Sequence, residues 1–344
     1  MNIEPFEYLN GVPLSRAVMR SSPEDFRVFE DLGYEPEGEG EHHYLYIQKR
    51  GENTDWVAKQ LAHFCQVSPR DVAYAGKKDR HAITEQWFSV HLPGSRKILN
   101  WDLFGGDSIN VLHASKHRRK IKLGNLKGNR FEIVLREVDN VNDLLHRAET
   151  IRKGVPNYFG EQRFGRDFGN LYSGLAMLAG ELQERQRNKR SMYISALRSF
   201  LFNRMISARL SEGHWHSLLE GDVLIEDFTQ KVHRYDQQIT DQLAQFESLA
   251  LHPTASMWGK GELYSEGFVE RCEQAVALRF PDITKGLESL GLRQERRSIR
   301  LVPRDLEVVS EDEYTCRIAF SLPSGCFATS VLRELCVWDS GQAL

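Results

Sequence analysis

Between residues 26 and 138 the apolar positions recur mostly at every second residue. Phe26-Arg-Val-Phe-Glu-Asp-Leu32 and His43-Tyr-Leu-Tyr-Ile47 are β-branched and aromatic runs bounded by glycine and charged turns, which predicts strands. Residues 83–92 set Phe88, Val90 and Leu92 against Trp87, Ser89 and His91, the alternation of a half-buried strand. Residues 107–114 and 131–138 read the same way. One helix interrupts this pattern. Behind the capping pair Asn53-Thr54, Val57, Leu61 and Phe64 recur at i, i+4 and i+7, and Ser68-Pro69 ends the run. Val72-Ala-Tyr-Ala75 then reads as a short buried strand that stops at Gly76.

From about residue 142 the period changes from two to 3.6. Residues 142–153, 170–183, 191–210, 241–250 and 267–279 carry helical patterns. In the third of these, Ile194, Leu197, Leu201, Met205 and Ile206 share one apolar face. Near Ile299 the strand pattern returns, in Leu301-Val-Pro, Leu306-Glu-Val-Val309 and residues 314–322. Strand-rich, then helix-rich, then strand-rich predicts an α+β domain interrupted by a mainly helical insertion. A tandem of two ordinary domains fits the same order.

Composition narrows the class. A chain of 344 residues exceeds one ordinary core and predicts about two domains. The N-terminal MNIEPFEYLN has no apolar signal-peptide core, and no apolar run approaches the ~20 residues of a membrane span, so a cytoplasmic protein is expected. The five cysteines form no C-x-x-C pair, and the histidines are scattered apart from His42-His43 and His214-Trp-His216. Reduced, mostly buried thiols and no metal site are expected. No long apolar seam is left unassigned, which points to a monomer.

Charge changes the picture more than its total of −3 suggests. Residues 116–130, KHRRKIKLGNLKGNR, hold seven Lys or Arg and no acid, and RQRNKR (185–190) and RQERRSIRLVPR (293–304) are further basic blocks. The balancing acids fall elsewhere in the sequence, as in 35–41 and 220–227. One such block is usually a solvated surface. Three of them favour a polyanion, namely nucleic acid.

Four stretches could carry chemistry. In Ala75-Gly-Lys-Lys-Asp-Arg-His81 a single carboxylate, Asp79, follows a strand end and a glycine that permits close backbone approach. Its flanking cations favour the ionised form, which suits a nucleophile or charge stabiliser better than a general acid. A turn with solvated charges is the plain alternative. Lys127-Gly-Asn-Arg-Phe131 offers Asn129 for a base edge and Phe131 for stacking, or else a turn and a core ring. Gly154-Val-Pro-Asn-Tyr-Phe-Gly-Glu-Gln-Arg-Phe-Gly165 alternates aromatics with Gly, Gln and Arg, as unstacked RNA requires, or as a rigid domain junction would. Leu322-Pro-Ser-Gly-Cys-Phe-Ala-Thr-Ser330 reads as a strand, a turn and a capped helix.

Together with Pro23-Glu-Asp-Phe26, Gly38-Glu-Gly-Glu-His42, Leu123-Gly-Asn-Leu-Lys-Gly-Asn129 and Arg187-Asn-Lys-Arg-Ser191, these stretches resemble the tRNA pseudouridine synthase D (TruD) family over essentially the full chain. The resemblance implies an isomerase that converts a tRNA uridine, position 13 in the family's substrate, to pseudouridine without cofactor or metal. It places the catalytic aspartate at Asp79 and substrate-binding positions at Phe26, Asn129 and Phe327. Phe131 falls where other pseudouridine synthases have tyrosine. It also implies a mixed, largely antiparallel catalytic sheet formed by 1–154 and 304–344, with the family-specific domain inserted at 155–303. Arg20 stands where the family has lysine. Arg20, Lys78 and Arg80 are then rival partners for Asp79, or contacts for the tRNA backbone. A non-catalytic RNA binder on the same scaffold is the alternative, and a glycosidic hydrolase would need a second acid.

Overall fold

The computed structural model describes residues 3–94, 99–227 and 229–340. In chain order the first elements are β1 (Arg16–Met19), β2 (Phe26–Asp31), β3 (His42–Arg50), α1 (Thr54–Cys65), β4 (Val72–Tyr74), β5 (Ile83–His91), β6 (Ile109–His117), β7 (Gly128–Arg136) and α2 (Val141–Thr150). Then come β8 (Val155–Pro156), α3 (Glu161–Phe164), α4 (Gly169–Leu178), α5 (Arg187–Ser211), β9 (Val223–Glu226) and β10 (Val232–Arg234). These are followed by α6 (Thr240–Glu247), β11 (Leu251–Met257), α7 (Gly267–Leu278), α8 (Pro281–Ser289) and β12 (Glu295–Ser298). The last are β13 (Arg300–Leu301), β14 (Arg304–Ser310), β15 (Cys316–Pro323), α9 (Ala328–Leu335) and β16 (Val337–Ser340).

The chain divides into two compact units. One comprises Pro13–Arg152, Pro303–Gly325 and the described residues from Leu335; the other comprises the described residues up to Val12, Lys153–Val302 and Cys326–Glu334. The second unit thus takes in two segments beyond 155–303, and named contacts show why. Phe6 and Leu9 pack against its core, the Leu9 amide donates to the Glu334 carboxylate at 2.9 Å, and Ser330 Oγ donates to the Tyr158 carbonyl at 2.7 Å.

In the first unit the strands order as β14-β15-β7-β2-β5-β3-β6, with β4 on β5 and β1 between β7 and β16. Only β2–β5 and β1–β16 run parallel, so the sheet is mixed and largely antiparallel. The register decides what shares a face. Phe26 lies opposite Ile133, Val28 opposite Phe131, and Glu30 opposite Asn129, while Thr84 lies beside both Val28 and Lys49. Residues directly across a ladder project to the same side. One face therefore collects Phe26, Glu30, Lys49, Thr84, Asn129 and Phe131. Helix α1 packs Val57 and Leu61 against Leu45, Ile47 and Phe88 of this face, each fully buried side chain stabilising by about 1.5–3 kcal/mol.

Two glycines of the candidate stretches differ in kind. Gly128 pairs with Pro323, and a Cβ there would meet the Leu322 carbonyl oxygen at 2.3 Å. Gly76 has no such need: a Cβ would meet only Lys78 Nζ at 3.8 Å, and its φ is not positive. The close approach expected at Gly76 is absent. Gly128→Ala is expected to cost about 1–3 kcal/mol by overpacking, and Gly76→Ala close to nothing. Urea unfolding of the two variants checks this, and equal losses would count against it.

In the second unit the 25-residue α5 buries Leu197, Phe200, Leu201 and Phe202 at the centre of the core. Helices dominate this unit, but it also holds a four-stranded sheet, β10-β9-β11-β12. Periodicity missed it because β11 is buried at six consecutive positions. His252, Thr254 and Ser256 are polar yet buried there, so the strand shows neither alternation nor an apolar run to read.

Candidate active site

The segment between β4 and β5 carries Asp79, and nearly every other polar group on it is tied down. The Gly76 carbonyl accepts from Gln86 Nε2 at 3.1 Å. The Lys78 amide donates to Thr54 Oγ1 at 3.0 Å, and that hydroxyl donates onward to Gln86 Oε1 at 2.8 Å. Thr54 thus serves the loop, while Asn53, at the N-cap of α1, makes no side-chain capping bond. Lys78 Nζ is paired with the Glu30 carboxylate, whose other oxygen accepts the Trp87 amide at 3.0 Å. Arg80 Nε donates to the Gly51 carbonyl at 3.2 Å.

The Asp79 backbone is held from beneath. Lys49 Nζ donates to the Asp79 carbonyl at 3.0 Å and to the Glu52 carbonyl at 2.8 Å. This lysine is wholly buried. Burial pushes its ammonium down to about 8, with the charges of Asp79 and Glu52 opposing that shift. Between about 8 and the unfolded value of about 10.4, the unfolded chain holds a proton that the folded chain has released. Stability contributed by this group therefore rises with pH across that window. The stability difference between wild type and Lys49→Met is expected to move in favour of wild type from pH 8 to pH 10. A difference that stays flat would show that the ammonium is not desolvated.

With Lys78 and Lys49 engaged elsewhere, the Asp79 carboxylate meets Arg20, whose Nη2 donates at 2.8 Å. The two sides of this pair differ in access: the Arg20 side chain is 16% exposed and that of Asp79 41%. The guanidinium carbon lies 4.1 Å from the centroid of the Phe26 ring, a cation–π contact. Arg20 adopts a left-handed backbone conformation, φ 61°, which costs a non-glycine residue about 1–2 kcal/mol. Such strain is held where the surroundings over-determine it. Here the following Pro23–Asp25 turn supplies that rigidity: the Asp25 carboxylate accepts the Ser22 amide at 3.1 Å and a fork from Arg136. Arginine suits the site because its flat face covers Phe26 while one edge meets the carboxylate.

Among the buried polar side-chain atoms of this unit that have no hydrogen-bond partner are Arg20 Nε, Thr84 Oγ1 and Asn129 Oδ1. An unpaired buried group of this kind costs about 1–3 kcal/mol, and it marks where a site is built for something other than stability. Asn129 is thus an acceptor held beside Glu30 on the same sheet face. Phe26 and Phe131 meet edge to face at 6.3 Å, and Phe131 stacks on Phe320 at 5.5 Å. Both rings are buried, so they floor the site, with Arg20 over Phe26.

Phe327 belongs to the other unit. Its ring is half-buried, 6.0 Å from that of Phe159 and 5.9 Å from the Arg163 guanidinium. The fold also redistributes charge that the sequence kept apart. Glu37 and Glu39 pair with Arg118, Asp31 with Lys127 and Glu132 with Arg130, so three of the seven cations of the 116–130 block face a carboxylate. Lys116, Arg119, Lys120 and Lys122 have no such carboxylate among the described residues.

Sequence reasoning missed Lys49, Glu30 and Thr54. The signal for Lys49 was present, since it continues the inward alternation Leu45, Ile47, and a lysine at an inward position of a strand is uncommon. No group of three or more His, Cys, Asp or Glu side chains among the described residues is arranged to hold a metal ion. No helix among them is long and apolar enough to cross a membrane.

Comparison with known proteins agrees with this geometry. Residues 3–185 and 178–335 match the model of the family described as tRNA pseudouridine synthase D (TruD). The chain belongs to the TruD family. Relatives of that name from Hydrogenovibrio crunogenus and Pseudoalteromonas atlantica are 42% and 45% identical, each covering 97% of this chain and 97% of the relative. One from Methylococcus capsulatus is 44% identical, over 96% of this chain and 94% of its own. A solved chain from Methanosarcina mazei assigned to TruD shares the fold, with a TM-score of 0.72 at 19% identity, over 97% of this chain and 96% of its own. TruD membership extends through both compact units, since the matched residues include Asp79 in one and Phe327 in the other.

Proposed function

We propose that this TruD-family protein isomerises the uridine at position 13 of tRNA to pseudouridine, with Asp79 as the catalytic group. One observation carries the reading. On a loop whose backbone and neighbouring lysine are anchored, the Asp79 carboxylate stays reachable, and a guanidinium balances it.

The reaction breaks the C–N glycosidic bond, turns the uracil and forms a C–C bond to the same sugar carbon. It is redox-neutral and conserves every atom, so no co-reactant enters the balance. An ionised carboxylate serves each available route, by attacking the sugar, attacking the base or removing a ribose proton. Arg20 holds the carboxylate in place through its Nη2 hydrogen bond. The uridine must leave its stack at a cost of a few kcal/mol. Asn129 Oδ1, an acceptor without a partner, suits the N–H of the uracil edge. The reading places the protein in the cytoplasm, acting as a monomer on tRNA.

A non-catalytic RNA binder is the second reading. It gives no account of a reachable carboxylate, which repels phosphate. The test incubates the protein with unmodified tRNA transcripts and maps pseudouridine by position. Conversion at uridine 13, and none in a transcript carrying cytidine there, is expected. Conversion at another uridine would sink the position, and retained binding without any conversion would favour the binder.

A further inference from the structure

We infer that the helix-rich unit carries an anion site, centred on Arg163 and shared with Arg297, that takes a backbone phosphate of the bound RNA. The inference rests on the tRNA reading above and names a contact that reading leaves open.

Two stretches far apart in sequence, 154–165 and 326–330, meet in this unit. A Cβ on Gly160 would strike Thr329 Oγ1 at 2.7 Å, and the Ser330 hydroxyl bonds the Tyr158 carbonyl. Between these residues, Phe159 is clamped through its backbone. Its amide donates to Asn203 Oδ1 at 2.9 Å, and its carbonyl accepts from Asn203 Nδ2 at 3.0 Å. Its ring therefore forms a fixed platform, and two guanidinium groups lie over it, Arg297 at 4.4 Å and Arg163 at 5.5 Å. Arg163 also lies over Phe327.

Arg163 is poorly matched for a structural cation. Nη1 donates to the Ser195 hydroxyl at 3.1 Å, Nε is buried without an acceptor, and no carboxylate among the described residues lies within ion-pair distance. Arg297 reaches a neutral group, Asn157 Oδ1, at 3.1 Å. Burial disfavours the charge on both, and at Arg297 the Cys326 side chain opposes that effect while the Arg163 cation adds to it. Elsewhere the same unit compensates its buried arginines. Arg209 forks Asp222, Arg296 meets Glu273, and Arg300 donates to the Phe246 and Leu251 carbonyls. Arg163, set over the same ring as a second guanidinium and given only a hydroxyl, lacks an anion. A planar N–H fork matches phosphate oxygens, and the adjoining Phe327 ring suits the base attached to that phosphate.

The test measures binding of the full chain to an unmodified tRNA transcript across a KCl titration, for wild type, Arg163→Gln and Arg163→Lys. Losing a charge-assisted contact is expected to weaken binding by about ten-fold or more. The slope of log K against log salt should become shallower by roughly one for Arg163→Gln, while Arg163→Lys keeps it. Where the Gln variant unfolds early, Arg163→Met keeps the apolar stem over both rings and replaces it. Unchanged affinity and slope in these charge-removing variants would overturn the proposal. Inorganic phosphate is titrated in parallel: loss of phosphate binding with an unchanged tRNA slope would assign the site to the free ion and equally overturn it. Turnover is not the readout. A wild type that forms no pseudouridine while Arg163→Gln flattens the slope keeps the site and loses the isomerase reading.

Discussion

Asp79→Asn is expected to lower pseudouridine formation by about 10³-fold or more while tRNA affinity changes little. The substitution is nearly isosteric, and its Oδ1 can still accept from Arg20. None of the loop anchors touches the carboxylate: Lys49 holds the Asp79 backbone, Thr54 holds the Lys78 amide, and Gln86 holds Gly76. Folding and the placement of residue 79 should therefore survive, and the loss reports chemistry alone. Single-turnover rates on a tRNA transcript, with affinity measured separately, make the comparison. A rate within ten-fold of wild type would remove Asp79 from the mechanism. A large loss of affinity would show that the carboxylate's charge organises the site before the chemistry begins.

Glu30→Ala is expected to destabilise the protein by about 3–5 kcal/mol, the cost of breaking a buried ion pair from one side. The Glu30 side chain is 0% exposed and that of Lys78 7%. Removing the carboxylate leaves the Lys78 ammonium and the Trp87 amide without their acceptor. Both partners replaced together, as in Glu30→Leu with Lys78→Met, should recover much of the loss, because no charge is then left stranded. Urea unfolding of the single and double variants checks this. A cost below about 1 kcal/mol for Glu30→Ala would mean that water reaches Lys78.

The strands and helices around the site were legible because their signals are local. The alternation of residues 83–92 and the i, i+4, i+7 spacing of Val57, Leu61 and Phe64 depend only on a few neighbours along the chain. They gave β5 and α1 close to their observed ends. Gly76 was misread for the complementary reason. Whether a glycine is required depends on what lies across from it, and it is Gly128 that has a carbonyl there. Likewise the acids at 35–41 seemed remote from the basic block until a sheet edge brought Glu37 and Glu39 to Arg118.

By itself the sequence determined that a single acid, Asp79, stands among cations after a strand end, in motifs that place the chain in the TruD family. Which cation serves that acid was decided only in three dimensions. Lys78 is adjacent in sequence, yet Glu30 claims it from the same sheet face. Arg20, 59 residues away, reaches the carboxylate because a strained turn and the Phe26 ring hold it there. Local pattern fixes which way each side chain points along its own element. Pairing between charges depends on distances across elements, and those exist only once the register of β2, β5 and β7 is set.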